Sequence, residues 1–158
     1  MTTDVGFLYA MAGVSMSVAS IAGLVVAFRR TGAWAALDLY RLRQIVEWGF
    51  ANALLALAAF PLASWLGAES AALRTLGVVA LAYLTVNVIV LLRRRATLRE
   101  LVRVTPLIVT IDVAAIVVAT VTAVLATMSA WELTLLALVA RPMTAFLLVL
   151  ATLRADAA

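Results

Sequence analysis

Apolar residues run along this chain in five long blocks, 6–28, 44–66, 71–92, 106–128 and 131–153, separated by short polar stretches. Each block reaches the roughly 20 residues that a helix needs to cross a bilayer's hydrocarbon core. Backbone amides and carbonyls inside lipid must satisfy one another, so each block predicts a membrane-spanning α-helix. The expected fold is an all-α integral membrane protein, with 1–158 forming a single transmembrane domain.

The polar stretches are not equivalent. Arg29, Arg30, Arg41 and Arg43 separate the first and second blocks, Arg93, Arg94, Arg95, Arg99 and Arg103 separate the third and fourth, and Arg154 follows the fifth. The other two connections, 67–70 and 129–130, are very short and have Glu69 and Glu132 at their edges, with Arg74 the one exception nearby. Excess arginine marks cytoplasmic loops, which predicts the N-terminus with Asp4 outside and the C-terminus in the cytoplasm. Trp65 and Trp131 fall at the predicted outer boundary and Trp34 and Trp48 at the inner one, as in an aromatic belt. The first block carries its arginines after the apolar run rather than before it, so it reads as a retained anchor and not a cleaved signal.

Both cytoplasmic connections predict short helices lying on the membrane surface. Thr97-Leu98-Arg99-Glu100 has the form of a capping box, and Leu98, Leu101, Val102 and Val104 would give that helix an apolar side. Thr105 and Pro106 then suit the N-cap and first position of the fourth span. In the other connection Trp34, Leu37 and Tyr40 recur every third residue. Arg41, Arg43, Arg93, Arg94, Arg95, Arg99 and Arg103 are placed to meet lipid phosphates or a partner.

Helices in lipid associate through small residues and occasional hydrogen bonds. One face of the fourth span is small or polar throughout: Asp112, Ala115, Ala119, Thr122, Ala126 and Ser129. The fifth span has Thr134, Ala137, Arg141, Thr144, Leu148 and Ala151, and the first has Ala10, Gly13, Ser17 and Ser20. Such stripes predict packing faces, or the lining of a wet pathway.

Polar side chains within the spans are Glu47, Asn52, Tyr83, Asn87, Asp112 and Arg141. An arginine at bilayer depth costs about 3 kcal/mol on insertion scales, so Arg141 calls for a partner or a hydrated cavity. Counted from the inner ends of their spans, Asp112 lies about 8 Å deep and Arg141 about 18 Å. Their side chains lean toward their own helix N-termini, which takes them in opposite directions. An Asp112–Arg141 pair would therefore close a gap of about 10 Å. Pairing with Asp112 or Asn52 and exposure to an anion-attracting pathway both stay open. Pro142 and Pro61 remove the amides that would bond the Leu138 and Leu57 carbonyls, which predicts kinks or gating hinges. Glu47, one turn after Arg43, suits an interfacial ion pair or a titrating carboxylate at a pore mouth.

Composition then narrows the chemistry. With 66% of residues hydrophobic and 13% charged, a chain of 158 residues has more apolar surface than a soluble domain could bury. All 12 basic residues are arginine, which together with abundant Ala and Leu suggests a GC-rich bacterial genome and a multi-pass protein of the inner (plasma) membrane. There is no Cys and no His, which excludes disulfides, thiol nucleophiles, Cys/His zinc sites, His-ligated haem and a histidine base. The sequence also has no Gly-rich phosphate loop and no nucleophile elbow, so no enzyme, catalytic residue, metal or cofactor is expected. The net charge of +4 follows membrane topology rather than a nucleic-acid surface.

The sequence favours one functional class and keeps a second as its alternative. The favoured one is a small homo-oligomeric ion channel or transporter that prefers anions through Arg141. Its pathway would follow the stripes of the fourth and fifth spans, with Asp112, Thr122, Thr144, Asn52, Asn87 and Glu47 as transport residues and Pro142 and Pro61 as hinges. The other is a non-transporting subunit or scaffold that packs against a membrane-protein partner through the same stripes and offers its arginine-rich loops to that partner or to anionic lipid.

Overall fold

The computed structural model describes residues 2–28, 36–95, 97 and 101–155. They form five helices: α1 (Thr2–Phe28), α2 (Ala36–Leu66), α3 (Glu69–Arg95), α4 (Leu101–Leu125) and α5 (Met128–Ala155). All five are long and apolar enough to cross a membrane, which makes this a multi-pass membrane protein. α2 and α5 form the centre: α2 packs against α1, α3 and α5, and α5 against α4, α2, α1 and α3. α1 lies at the edge, against α2 and α5.

Short turns fix the order of the helices. Gly67 after α2 and Ala126 after α4 both adopt left-handed backbone, with φ of 65° and 52°, which ends each helix abruptly. The Ala126 amide still reaches the Thr122 carbonyl at 2.8 Å. Two other positions draw helices together. A Cβ on Gly49 would lie 2.7 Å from the Ser15 carbonyl oxygen and 2.9 Å from the Ala19 Cβ, and one on Gly77 would lie 2.6 Å from the Ala123 nitrogen. Lipid offers little hydrophobic drive between helices, and such close backbone approach is where contact energy is gained. Leu8, Met11, Trp48, Leu76, Leu84, Trp131, Leu135 and Leu138 fill the space around these contacts.

Several expectations change. α2 runs without a break from Ala36, so Leu37, Tyr40, Arg41 and Arg43 belong to a spanning helix rather than a separate surface helix. Nothing between Ala36 and Gln44 breaks a helix: neither Gly nor Pro occurs there. α4 likewise starts at Leu101, placing Thr105 and Pro106 inside it instead of at its start. The capping box with Arg99 and Glu100, the surface-helix residue Leu98, and Arg29, Arg30 and Trp34 lie outside the described residues, as do the side chains of Asp4, Arg103 and Arg154.

The small stripe on α1 points away from the bundle. Ala10, Gly13, Ser17 and Ser20 are exposed, and α1 packs instead through Leu8, Met11, Ala12, Ser15, Ala19 and Ala22. The Ser17 and Ser20 hydroxyls bond back to the Gly13 and Met16 carbonyls at 2.8 Å each, so neither serine needs a neighbouring helix. The α4 stripe is buried from Asp112 to Ala126, whereas Ser129 is exposed at the start of α5. Trp48 and Trp131 have their rings buried against neighbouring helices, so neither offers its ring to lipid headgroups, while Trp65 is 88% exposed.

Candidate functional site

The main polar feature of the interior joins three helices. Arg141 of α5 bonds through Nη1 to both carboxylate oxygens of Asp112 on α4, with Oδ2 at 2.5 Å. Arg141 is 3% exposed and Asp112 0%, so neither charge faces the outside of the bundle. The Arg141 guanidinium carbon sits 4.7 Å from the ring centroid of Trp48 on α2, a cation–π contact. A carboxylate and an aromatic face thus share the burden of holding a buried cation.

The predicted gap of about 10 Å is absent because the turn that α4 and α5 share, and not their inner ends, sets the two positions level. α4 and α5 are joined by the turn at 126–127, and antiparallel neighbours share that turn as their common reference. Asp112 lies 13 residues before the end of α4 and Arg141 13 residues after the start of α5, about 20 Å along each helix. The inner ends gave a false mismatch because neither helix stops where its apolar block stops. The long arginine side chain covers what remains.

From this pair a chain of contacts runs to the surface along α2. Trp48 Nε1 donates to Gln44 Oε1 at 3.2 Å, and Gln44 Nε2 donates to Glu47 Oε2 at 3.3 Å. Exposed Arg43 donates through Nε to Glu47 Oε1 at 2.5 Å. Helical spacing explains the chain, since positions three and four apart share a face. The Tyr83 ring meets Trp48 edge-on, with centroids 5.2 Å apart.

The other predicted residues divide between this site and separate roles. Thr122 and Thr134 share a hydrogen bond of 2.8 Å that ties α4 to α5 nearer their common turn. Asn52 does not meet Arg141; its Nδ2 donates to Ser15 Oγ at 2.8 Å and to the Leu135 carbonyl at 3.5 Å, connecting α1, α2 and α5. Asn52 Oδ1 is buried without a hydrogen-bond partner among the described residues. Asn87 and Thr144 are half-buried and bond to carbonyls of their own helices, Tyr83 and Ala140. Pro142 is buried beside Arg141 within an uninterrupted α5, whereas Pro61 is exposed and lines a cavity with Leu62, Ser64 and Trp65.

At the arginine-rich end, Arg41 pairs with Asp38 at 3.2 Å, both buried. The Arg94 guanidinium lies 5.3 Å from the Tyr40 ring centroid, and Arg93 and Arg95 are exposed at the end of α3. Sequence reasoning missed Gln44 and the true place of Trp48. The signal was present in the one-turn spacing of Gln44, Glu47 and Trp48, but the direction of that face depends on which helix lies opposite.

No protein-family model, curated protein or solved structure matches this chain. Fold and site therefore define its class: a multi-pass membrane protein with five membrane-length helices among the described residues, whose Arg141 and Asp112 pair with each other inside the bundle.

Proposed function

We propose that this chain is a non-enzymatic, non-transporting subunit or scaffold of the bacterial inner membrane. Its N-terminus lies outside and its arginine-rich ends lie in the cytoplasm. It assembles with other membrane helices, including its own copies, and offers those arginines to anionic lipid or to a partner. The supporting observation is that Asp112 neutralises Arg141, so the charge best suited to drawing anions into the membrane is committed to the fold. Current across a planar bilayer in asymmetric salt tests this reading. Folded wild type is expected to be silent, as is Asp112→Asn/Arg141→Gln. A selective current whose reversal potential shifts in the double variant would overturn it.

One observation favours a second reading, a small oligomeric channel or transporter. The contacts from exposed Arg43 through Glu47, Gln44 and Trp48 reach the buried pair from the surface. In this second reading the line of polar contacts marks where a route would open between subunits, and the same current measurement separates the two readings.

A further inference from the structure

The neighbouring ends of α2 and α3 form an open cleft of about 460 Å³ lined by Ala36, Leu39, Tyr40, Arg43, Arg94 and Thr97. The Thr97 amide donates to the Arg94 carbonyl at 3.0 Å, so a turn at the end of α3 sets the threonine on the cavity wall. Contact with the Tyr40 ring holds Arg94 across the gap between the two helices. Arg43 enters from α2, anchored through Nε to Glu47. A guanidinium tied by Nε still carries four N–H donors on its terminal nitrogens. Glu47 offsets part of the Arg43 charge, which leaves Arg94 the larger share of the attraction.

A second cavity, of about 420 Å³, shares Leu39 and Arg43 with the first and continues past Leu42, Val46 and Glu47. The basic opening thus runs on into a mainly apolar groove along α2. That helix has 31 residues. It is about 46 Å long against a hydrocarbon core of about 30 Å, so its first ten or so residues reach headgroup level.

We propose that this cleft binds an anionic phospholipid. Arg94 and Arg43 contact the phosphate, the Tyr40 and Thr97 hydroxyls add hydrogen bonds, and an acyl chain follows Leu39, Leu42 and Val46. The charge is complementary, the donors suit phosphate oxygens, and the groove continues in the direction a lipid tail would take. The proposal rests on the placement of the arginine-rich ends at the membrane surface in the reading above, and gives that end a defined ligand.

Native mass spectrometry of the full chain, purified in neutral detergent with phosphatidylglycerol or phosphatidylcholine added, tests it. Wild type is expected to retain phosphatidylglycerol in preference to phosphatidylcholine. Arg43→Gln/Arg94→Gln should weaken that retention by about fivefold to twenty-fivefold, since an arginine near anionic lipid is worth about a factor of five and the Glu47 carboxylate takes back part of the Arg43 share. Arg74→Gln, at the opposite end of α3, should leave it unchanged. Equal retention by the double variant, with helical content preserved, would overturn the proposal. Equal retention of the two lipids by wild type would do the same without any variant. Displacement of bound lipid by inorganic phosphate would also overturn it, by showing a site for a free anion. Bilayer current is read separately, so failure of the lipid site and failure of the scaffold reading are distinguishable.

Discussion

Removing one partner of the Arg141–Asp112 pair strands the other in an interior of low dielectric, at a cost of about 3–5 kcal/mol. Arg141→Ala and Asp112→Ala should therefore each lower the thermal midpoint of the detergent-solubilised protein sharply. Asp112→Leu/Arg141→Met removes both charges and keeps the volume, so it should recover most of the loss. If the double variant were as unstable as the singles, the pair would not be the source of the effect. Trp48 supplies the third contact. Trp48→Leu should cost about 0.5–2 kcal/mol from the cation–π term, in addition to changes in packing and loss of the Gln44 bond. Trp48→Phe keeps the ring and should fall between Trp48→Leu and wild type.

Among the helices, two positions control how the elements meet. Gly77→Ala would push a Cβ to 2.6 Å from the backbone of Ala123, and backbone cannot rotate aside as a side chain can. The expected cost is about 1–3 kcal/mol, measurable as a lower unfolding midpoint and a looser α3–α4 contact. Ala126 presents the opposite case, because alanine there holds a left-handed conformation that glycine adopts freely. Ala126→Gly should stabilise the α4–α5 turn by up to about 1 kcal/mol, after the extra entropy of glycine in the unfolded chain is deducted. A lower unfolding midpoint for Ala126→Gly would show that the turn has another constraint.

For the whole molecule, the proposed orientation is open to direct labelling, because the sequence has no cysteine. Ser70→Cys, beside the α2–α3 turn, should react with a membrane-impermeant maleimide added outside intact cells. Thr97→Cys, at the end of α3, should react only after the membrane is permeabilised. The reverse pattern would invert the topology, and with it the side on which the lipid cleft opens. In either orientation the bundle leaves Gly13, Ser17 and Ser20 on the outer face of α1, where other helices can approach closely.

The five spans were legible in the sequence because the length of an apolar run is a local quantity, fixed by bilayer thickness and the rise of a helix. The packed face of α4 was legible too, since small residues at every third or fourth position suit close contact with another helix. The α1 face was not: its serines satisfy themselves on their own backbone, and the stripe carries no sign of whether a helix or lipid lies opposite. The helix starts at Ala36 and Leu101 escaped because helix continues past the point where hydropathy falls. The Arg141–Asp112–Trp48 site needed the tertiary structure, which supplied the shared turn that levels two positions on antiparallel helices and the third helix that brings an aromatic face to the cation. Sequence determined which groups are too costly to leave alone in lipid. Only the packing of α2 against α5 and of α4 against α5 decided which groups meet them.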